Sequence, residues 1–280
     1  MFNTDIDILH DRLVGSVRTF FRDAGREKAV VGLSGGIDSA VVLALAVRAL
    51  GKKNVHALLM PSPYSTLHSV TDAVELAENL DVKYNIVPIE GVFNRFTKEM
   101  DDLFDGETKR ITIENLQARI RGVILMAHTN QTGSLLLNTS NKSEVAMGYG
   151  TLYGDLAGAL MVLADVYKLQ VYSLANYINK EGTVIPYSII TKEPSAELSE
   201  NQKDSDTLPV YSVLDPILHS IFEEGKNEEE LIACGADRNL INRIHHMMNS
   251  VKFKVHQLPQ MIQTGDHPLL PREKCLYYPL

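Results

Sequence analysis

The sequence predicts an α/β protein, an open parallel sheet with helices on both faces, and three observations carry that prediction. Ala29 to Leu33, Asn54 to Met60 and Leu135 to Thr139 are short apolar runs with the composition of buried strands, and Lys83 to Ile89 reads as a further strand. Longer stretches with apolar residues at helical spacing alternate with them, which implies right-handed crossovers between parallel strands. The first run also stops in Ser34-Gly35-Gly36 and restarts at once as helix, a strand–turn–helix junction.

Taken in order, residues 3 to 25 form an amphipathic helix with Ile6, Leu9, Leu13, Val17 and Phe20 on one face. After the first strand and turn, Ala40 to Leu50 is a helix closed by Gly51. The second strand is broken by Pro61 to Tyr64. A helix over Ser65 to Leu80 comes next, with Val70, Val74 and Ala77 inward, and then the third strand. Gly91 to Gly106 reads as helix and charged loop, and Ile113 to Gln131 as a helix with Leu116, Ile120, Val123, Ile124 and Ala127 on its apolar face. Met147 to Gly158 holds four glycines and reads as a mobile or ligand-hugging loop. Leu160 to Lys180 reads as helix with Asp165 and Lys168 in its early turns. Residues 185 to 208 read as an irregular, lid-like segment, residues 211 to 253 as helices, and the proline-bearing tail (Pro259, Pro268, Pro271, Pro279) as extended. The whole, 1–280, is expected to be one domain.

Composition narrows the function. With 45% hydrophobic residues among 280, a substantial core is available, and a net charge of −8 without a long basic run argues against nucleic acid as a partner. Two distant cysteines, Cys234 and Cys275, argue against a disulfide framework or cysteine-rich metal site. Neither a signal peptide nor a membrane span is evident, so a cytoplasmic location is expected.

The junction Val30 to Ser39 has the character of a phosphate cradle. Gly35 and Gly36 permit close backbone approach, Ser34 and Ser39 add hydroxyl donors, and the next helix offers unpaired N–H groups at its positive end. Asp38 would repel a phosphate unless a divalent cation joined them, which points to magnesium-nucleotide chemistry. No Gly-Lys-Ser/Thr comes after it, so this is not a Walker A loop. In an open parallel sheet the ligand crevice lies at strand carboxyl ends beside the reversal of strand order, so Ser140 to Glu144, after the Leu135 strand, should face the same pocket. Asp38 and Glu144 form the natural magnesium pair. Lys168 and Lys192 suit neutralisation of phosphates, and Asp155, in the glycine-rich loop, suits action on a nucleophile's proton. Singly each has a structural alternative: Glu144 as helix cap, Asp155 as turn residue, the lysines as solvated charges. Arg119 and Arg121 lie about 200° apart around a helix, so one is expected toward a ligand and the other toward solvent.

The Ser-Gly-Gly-x-Asp-Ser turn resembles the pyrophosphate loop of the ATP pyrophosphatase superfamily. With SGGIDSA, MPSPYST, ENLQARIR, NTSNKSEVAMGYGTLYGD, LADVYK and TKEPSAEL, the chain is similar to NAD synthetase from about residue 28 to 260. The resemblance implies a Rossmann-like fold of the adenine nucleotide alpha hydrolase kind. It implies ATP-dependent adenylation of deamido-NAD, then attack by ammonia to give the amide, AMP and pyrophosphate. It places Ser34, Gly35, Gly36, Asp38 and Ser39 on ATP phosphates, with Thr139, Lys168 and Ser195 also on ATP, and Arg119 and Asp155 at deamido-NAD and ammonia. Phe253 and Lys254 match a pair near the dinucleotide, although Val255 and His256 depart from the arginines often found next. It also implies a homodimer. MPSPYST and TKEPSAEL look more like glutamine-dependent members, which carry a preceding amidase domain. Since only 33 residues precede Ser34, the expectation is free ammonia or ammonia from a separate amidase partner. The rival readings are another adenylating ATP pyrophosphatase, acting on a nucleotide base or tRNA, and a non-catalytic nucleotide sensor.

Overall fold

The computed structural model describes residues 5–270 and 272–276. Asn3 and Thr4 of the expected first helix, and Pro271 and Pro279 of the tail, lie outside them. In chain order the elements are α1 (Ile6–Asp23), β1 (Ala29–Gly32), α2 (Ile37–Leu50), β2 (Val55–Leu59), α3 (Leu67–Asn79), β3 (Lys83–Ile86), α4 (Glu90–Leu103), α5 (Arg110–Thr132), β4 (Leu135–Asn138), α6 (Lys142–Met147), β5 (Leu160–Met161), α7 (Lys168–Ile178), α8 (Tyr187–Thr191), α9 (Tyr211–Phe222), α10 (Glu228–Ala233), α11 (Arg238–Ser250), α12 (Lys252–Val255), β6 (Gln260–Ile262) and β7 (Cys275–Leu276). The seven described strands form one sheet in the order β3-β2-β1-β4-β5-β6-β7, and every neighbouring pair is parallel. The expected fold class is therefore present. Order reverses between β1 and β4, so the crevice of an open α/β sheet falls at their carboxyl ends.

Alternation along β1 explains the two covering layers. Val31 points into the core shared with α1, α2, α3 and α7, whereas Val30 points into a second core built with Phe93 of α4 and Ile120 and Leu125 of α5. α1 starts at Asp5, whose carboxylate accepts from the Asp7 N–H, and buries Leu9, Leu13, Val17 and Phe21. α2 ends at Gly51, whose φ of +83° and bond to the Val47 carbonyl suit a residue without Cβ. A smaller core joins α9, α10 and α11 to Tyr167 and the end of α6.

Four expectations are corrected. Leu160 to Lys180 is not one helix: Leu160 and Met161 are a strand between β4 and β6, and α7 starts only at Lys168. Residues 160–166 are almost wholly buried, so their apolar run carries no helical periodicity to distinguish it from the helix beyond Lys168. The tail is not merely extended, because β6 and β7 complete the sheet. Residues 185 to 208 contain α8 and a 3-10 turn at Asp204–Asp206. Finally, the Met147 to Gly158 loop, read as mobile or ligand-hugging, is closely packed, which goes against the first of those two readings only. A Cβ on Gly148 would lie 2.3 Å from Val251, one on Gly150 2.7 Å from Leu156, and one on Gly154 2.9 Å from Ala118.

Candidate active site

A cavity of about 300 Å³ opens over the carboxyl ends of β1 and β4. Its floor is the loop from Leu33 to Ile37. Gly35 has φ +80°, and a Cβ there would sit 2.2 Å from the Ser69 carbonyl oxygen, so the loop can lie against the start of α3 only with glycine. The loop's hydroxyls knit it together: the Gly36 N–H donates to Ser34 Oγ (3.1 Å), and Ser39 Oγ donates to the Gly36 carbonyl (2.9 Å). No side chain caps α2 at Gly36, which leaves the first N–H groups of a 14-residue helix for an anion.

Two side chains, Lys168 and Asn141, reach Asp38 from distant parts of the chain. Lys168 Nζ donates to Asp38 Oδ2 at 2.6 Å and also reaches Glu144 Oε1 at 3.4 Å, while Asn141 Nδ2 donates to Asp38 Oδ1 at 2.9 Å. Lys168 is the first residue of α7 and is fully enclosed, lying 5.1 Å from the Tyr211 ring centre. Burial opposes its charge, but Asp38 and Glu144 outweigh that and hold the ammonium above its ordinary range. Burial, with the neighbouring Asp38 charge, pushes the Glu144 carboxyl upward, and Lys168 only partly offsets this. Asp204 approaches the same group, held by the hydroxyls of Tyr149 (3.2 Å) and Tyr211 (2.9 Å), and burial raises its pKa as well. Among the described residues no cluster of three or more His, Cys, Asp or Glu is disposed to hold a metal. Asp38 and Glu144 supply hard oxygen donors near one point, the donor type that magnesium shares with phosphates and water.

The outer wall comes from the segment after α8. Lys192 Nζ binds Ser69 Oγ (3.1 Å) and Asp72 Oδ2 (3.3 Å), and the Glu197 carboxylate accepts from the N–H of Thr66 (3.2 Å) and the hydroxyl of Ser69 (2.6 Å). Gln117 Nε2 holds the Leu198 carbonyl from the α5 side (2.8 Å). Opposite, Asp155 lines the cavity with its side chain open to solvent and its Oδ1 accepting from the Thr151 N–H (2.6 Å); desolvation by the surrounding protein raises its pKa, partly countered by that bond and by Lys254. Arg121 Nε donates to the Met60 carbonyl (3.0 Å), and desolvation pulls its pKa to about 10, so it stays cationic at neutral pH.

This site sits in a chain whose residues 9–258 match the family described as NAD synthase. The chain belongs to the NAD synthase family. It is 45% identical over 262 residues to the glutamine-dependent NAD(+) synthetase of Synechocystis, covering 94% of this chain and 47% of that protein. The corresponding Thermotoga maritima protein is 45% identical over 247 residues, 88% and 43% of the two chains. The chain thus spans about half the length of the curated relatives it matches. Among solved structures, the NH3-dependent NAD synthetase of Campylobacter jejuni is 30% identical with TM-score 0.75, covering 93% of this chain and 100% of that one. The NMN synthetase of Francisella tularensis is 28% identical with TM-score 0.78, covering 94% and 100%.

Against this family background the predicted residues divide. Ser34, Gly36, Asp38 and Ser39 line the cavity, as do Thr139, Glu144, Asp155 and Lys168; Lys192 and Ser195 line it from the outer wall. Gly35, within the loop, faces Ser69 and does not line the cavity. Of the two arginines, Arg121 lines the cavity, while Arg119 is exposed and donates to the Leu152 carbonyl (3.3 Å). Ser195 Oγ donates to the Gln202 carbonyl, which shapes its own segment. Phe253 is 59% exposed, and Lys254 Nζ is bonded to the carbonyls of Gly148 (2.8 Å) and Gly150 (2.7 Å), so neither borders this cavity. Sequence reasoning missed Glu197 and Asp204, and it placed Asn141 at the pocket only as one of the Ser140 to Glu144 cluster. The Asn-x-x-Glu capping signature at Asn141 is legible, but its bond to Asp38, 103 positions away, is not.

Proposed function

We propose that the chain amidates deamido-NAD to NAD, using ATP to form an acyl-adenylate and ammonia to displace AMP, with pyrophosphate released in the first step. The observation that carries this reading is the meeting, in one cavity, of the Ser34 to Ser39 anion cradle with Asp38, Glu144 and Lys168. Lys168 serves as the cation against which charge builds as pyrophosphate leaves. The cradle holds the departing β and γ phosphates. Asp38 and Glu144 would hold magnesium, which when bound neutralises phosphate charge that these two carboxylates would otherwise repel. Thr139 and Ser195 offer hydroxyls to ATP, and Lys192 a second cation. Asp155 takes a proton from the incoming nitrogen, and Arg121, which lines the same cavity, is better placed than Arg119 for an anionic substrate.

The dinucleotide is favoured over a mononucleotide because the 45%-identical relatives are named NAD(+) synthetases. Ammonia is taken as the nucleophile at this cavity, as in the Campylobacter chain described as NH3-dependent, which is 30% identical. An amidase, on the same protein or on a partner, is a natural source of that ammonia. The chain is proposed to act as a homodimer through α4 and α5, which expose Val92, Phe96, Leu103, Val123 and Met126. No helix among the described residues is long and apolar enough to cross a membrane.

The test supplies ATP, magnesium and ammonium with deamido-NAD, nicotinate mononucleotide or other carboxylates. The expected result is AMP and amide in equal amounts, with deamido-NAD preferred and glutamine alone ineffective. Asp38→Ala should abolish ATP consumption, and full turnover in that variant would remove cation bridging from the scheme. Turnover on a base or tRNA in preference to the dinucleotide would replace the reading altogether.

A further inference from the structure

The N–H groups of Lys168 and Leu169 open α7 and have no carbonyl partner within their own helix. Their acceptors come from two other helices. The Lys168 N–H donates to Ser143 Oγ of α6 (3.0 Å), and the Leu169 N–H donates to Asp215 Oδ2 of α9 (2.8 Å). Ser143 Oγ in turn donates to Asp215 Oδ1 (2.6 Å), so one carboxylate of α9 ties the start of α6 to the start of α7. Ser143 and Asp215 are fully buried, and neither borders the cavity. What they join does border it. Ser143 immediately precedes Glu144, and Lys168 carries the ammonium that lies 2.6 Å from Asp38 and 3.4 Å from Glu144. Burial pushes the Asp215 carboxyl up to about 6, countered by the Ser143 hydroxyl and the Leu169 N–H, so at neutral pH it is chiefly ionised and faces the positive end of the α7 dipole.

We propose that Asp215 is a positioning residue for the ATP-cleaving step: by binding Ser143 and the first turn of α7 together, its carboxylate sets where Lys168 stands relative to Glu144, and so where the ammonium meets the departing pyrophosphate. The inference rests on the function proposed above. The Lys168 side chain is anchored at its tip by Asp38 and Glu144, but its base is placed by the point at which α7 starts, and that point is held by the Ser143 and Asp215 oxygens. Both carboxylate oxygens are used, one for each helix. An amide in the same place offers a single oxygen, so it can serve Ser143 or the Leu169 N–H but must turn an NH2 donor toward the other side. Asp215→Asn therefore breaks one arm of the tie while keeping the volume of the side chain. The tie reaches Ser143 from 72 positions away and Leu169 from 46, which is why no local pattern around Lys168 announces it.

The experiment compares the intact chain with Asp215→Asn and Ser143→Ala in single turnovers, with enzyme in excess over labelled ATP, saturating deamido-NAD and magnesium, at a temperature well below each variant's melting point. In Asp215→Asn the maximal rate of ATP cleavage should fall by about 10²-fold, the cost of misplacing a reacting group by about an ångström. The concentration giving half-maximal rate should move by less than about threefold, because the cavity wall itself is unaltered. Ser143→Ala, which removes the hydroxyl but leaves the bond from Leu169 to Asp215, should lower the maximal rate by about tenfold. A variant that melts earlier but cleaves ATP at the intact rate would make Asp215 a support for packing alone and overturn the proposal. So would a loss that lies wholly in the half-saturating concentration. Amide exchange judges the tie independently of activity: at Leu169 it should accelerate by about tenfold in Asp215→Asn, and unchanged protection overturns the tie. If the intact chain cleaved no ATP with deamido-NAD, the functional reading would fall while the exchange result still judged Asp215. Should Asp215→Asn fail to fold, Ser143→Ala decides, with exchange at Lys168 read in the same way and an unchanged maximal rate overturning the proposal.

Discussion

Gly35→Ala separates two costs that are usually confounded. The backbone there has φ +80°, where an L side chain costs about 1–2 kcal/mol, and the new Cβ would also stand 2.2 Å from the Ser69 carbonyl oxygen. Gly133 supplies the control, since its φ is +70° but the nearest atom to a Cβ added there is a flexible Arg26 nitrogen at 3.6 Å. Gly133→Ala should therefore cost only the conformational term, about 1–2 kcal/mol. Gly35→Ala should cost that plus the displacement of the cradle from α3, about 3 kcal/mol or more in total, in the range of an overpacked site. At about 2 °C per kcal/mol for a chain of this size, the melting temperatures should fall by about 2–4 °C and at least about 6 °C respectively. ATP binding, measured by calorimetry, should survive in Gly133→Ala and be lost in Gly35→Ala. Equal melting temperatures, or intact nucleotide binding in Gly35→Ala, would refute the account of why glycine is required.

The geometry yields two further expected outcomes. Asp155 must be ionised to take a proton, and desolvation by the surrounding protein raises its pKa, so kcat should rise with pH through a midpoint above the ordinary carboxylate range. The sign for stability is opposite: the folded form binds this proton more tightly than the unfolded chain, so its contribution to stability declines as pH rises from the ordinary carboxylate value through the raised one. Urea titrations at several pH values should show that slope diminished in Asp155→Asn. At the exposed face of α4, Phe96→Lys should shift the solution mass from dimer toward monomer in sedimentation, and an unchanged mass would move the interface elsewhere.

Legibility in the sequence tracks the reach of each interaction. The cradle is readable because its parts lie within six residues of each other, and the strands β1, β2 and β4 because burial on both faces leaves uniform apolar runs. Asp38 and Glu144 are readable as chemistry, and the structure brings both to Lys168. Anything decided by a distant neighbour is hidden. The two residues of β5 are a strand only because β4 and β6 flank them, and the glycines of the 148–158 loop mark close packing on Val251, Leu156 and Ala118, which no local pattern records. The same holds for the outer wall, where Glu197 meets Thr66 and Ser69 across 128 or more positions.

Glu144 has two readings in the sequence, as helix cap and as site carboxylate, and the structure makes these one arrangement. Asn141 Oδ1 accepts from the Glu144 N–H (3.0 Å), and Glu144 Oε2 accepts from the Asn141 N–H (3.3 Å), which is a capping box for α6. The remaining atoms of the same two side chains face the cavity: Asn141 Nδ2 donates to Asp38, and Glu144 Oε1 faces Lys168. The cap thus orients both groups at no additional entropic cost. Asn141→Ser distinguishes the two duties, because serine caps a helix about as well as asparagine but carries no amide to reach Asp38. Its stability should change by no more than that of a conservative cap exchange, within about 0.5 kcal/mol by thermal melting. ATP-dependent amide formation should nevertheless fall by about tenfold or more, the loss of one hydrogen bond to a charged group being about 1.5–3 kcal/mol. A variant that lost stability and activity in parallel would mean that Asn141 matters only as a cap.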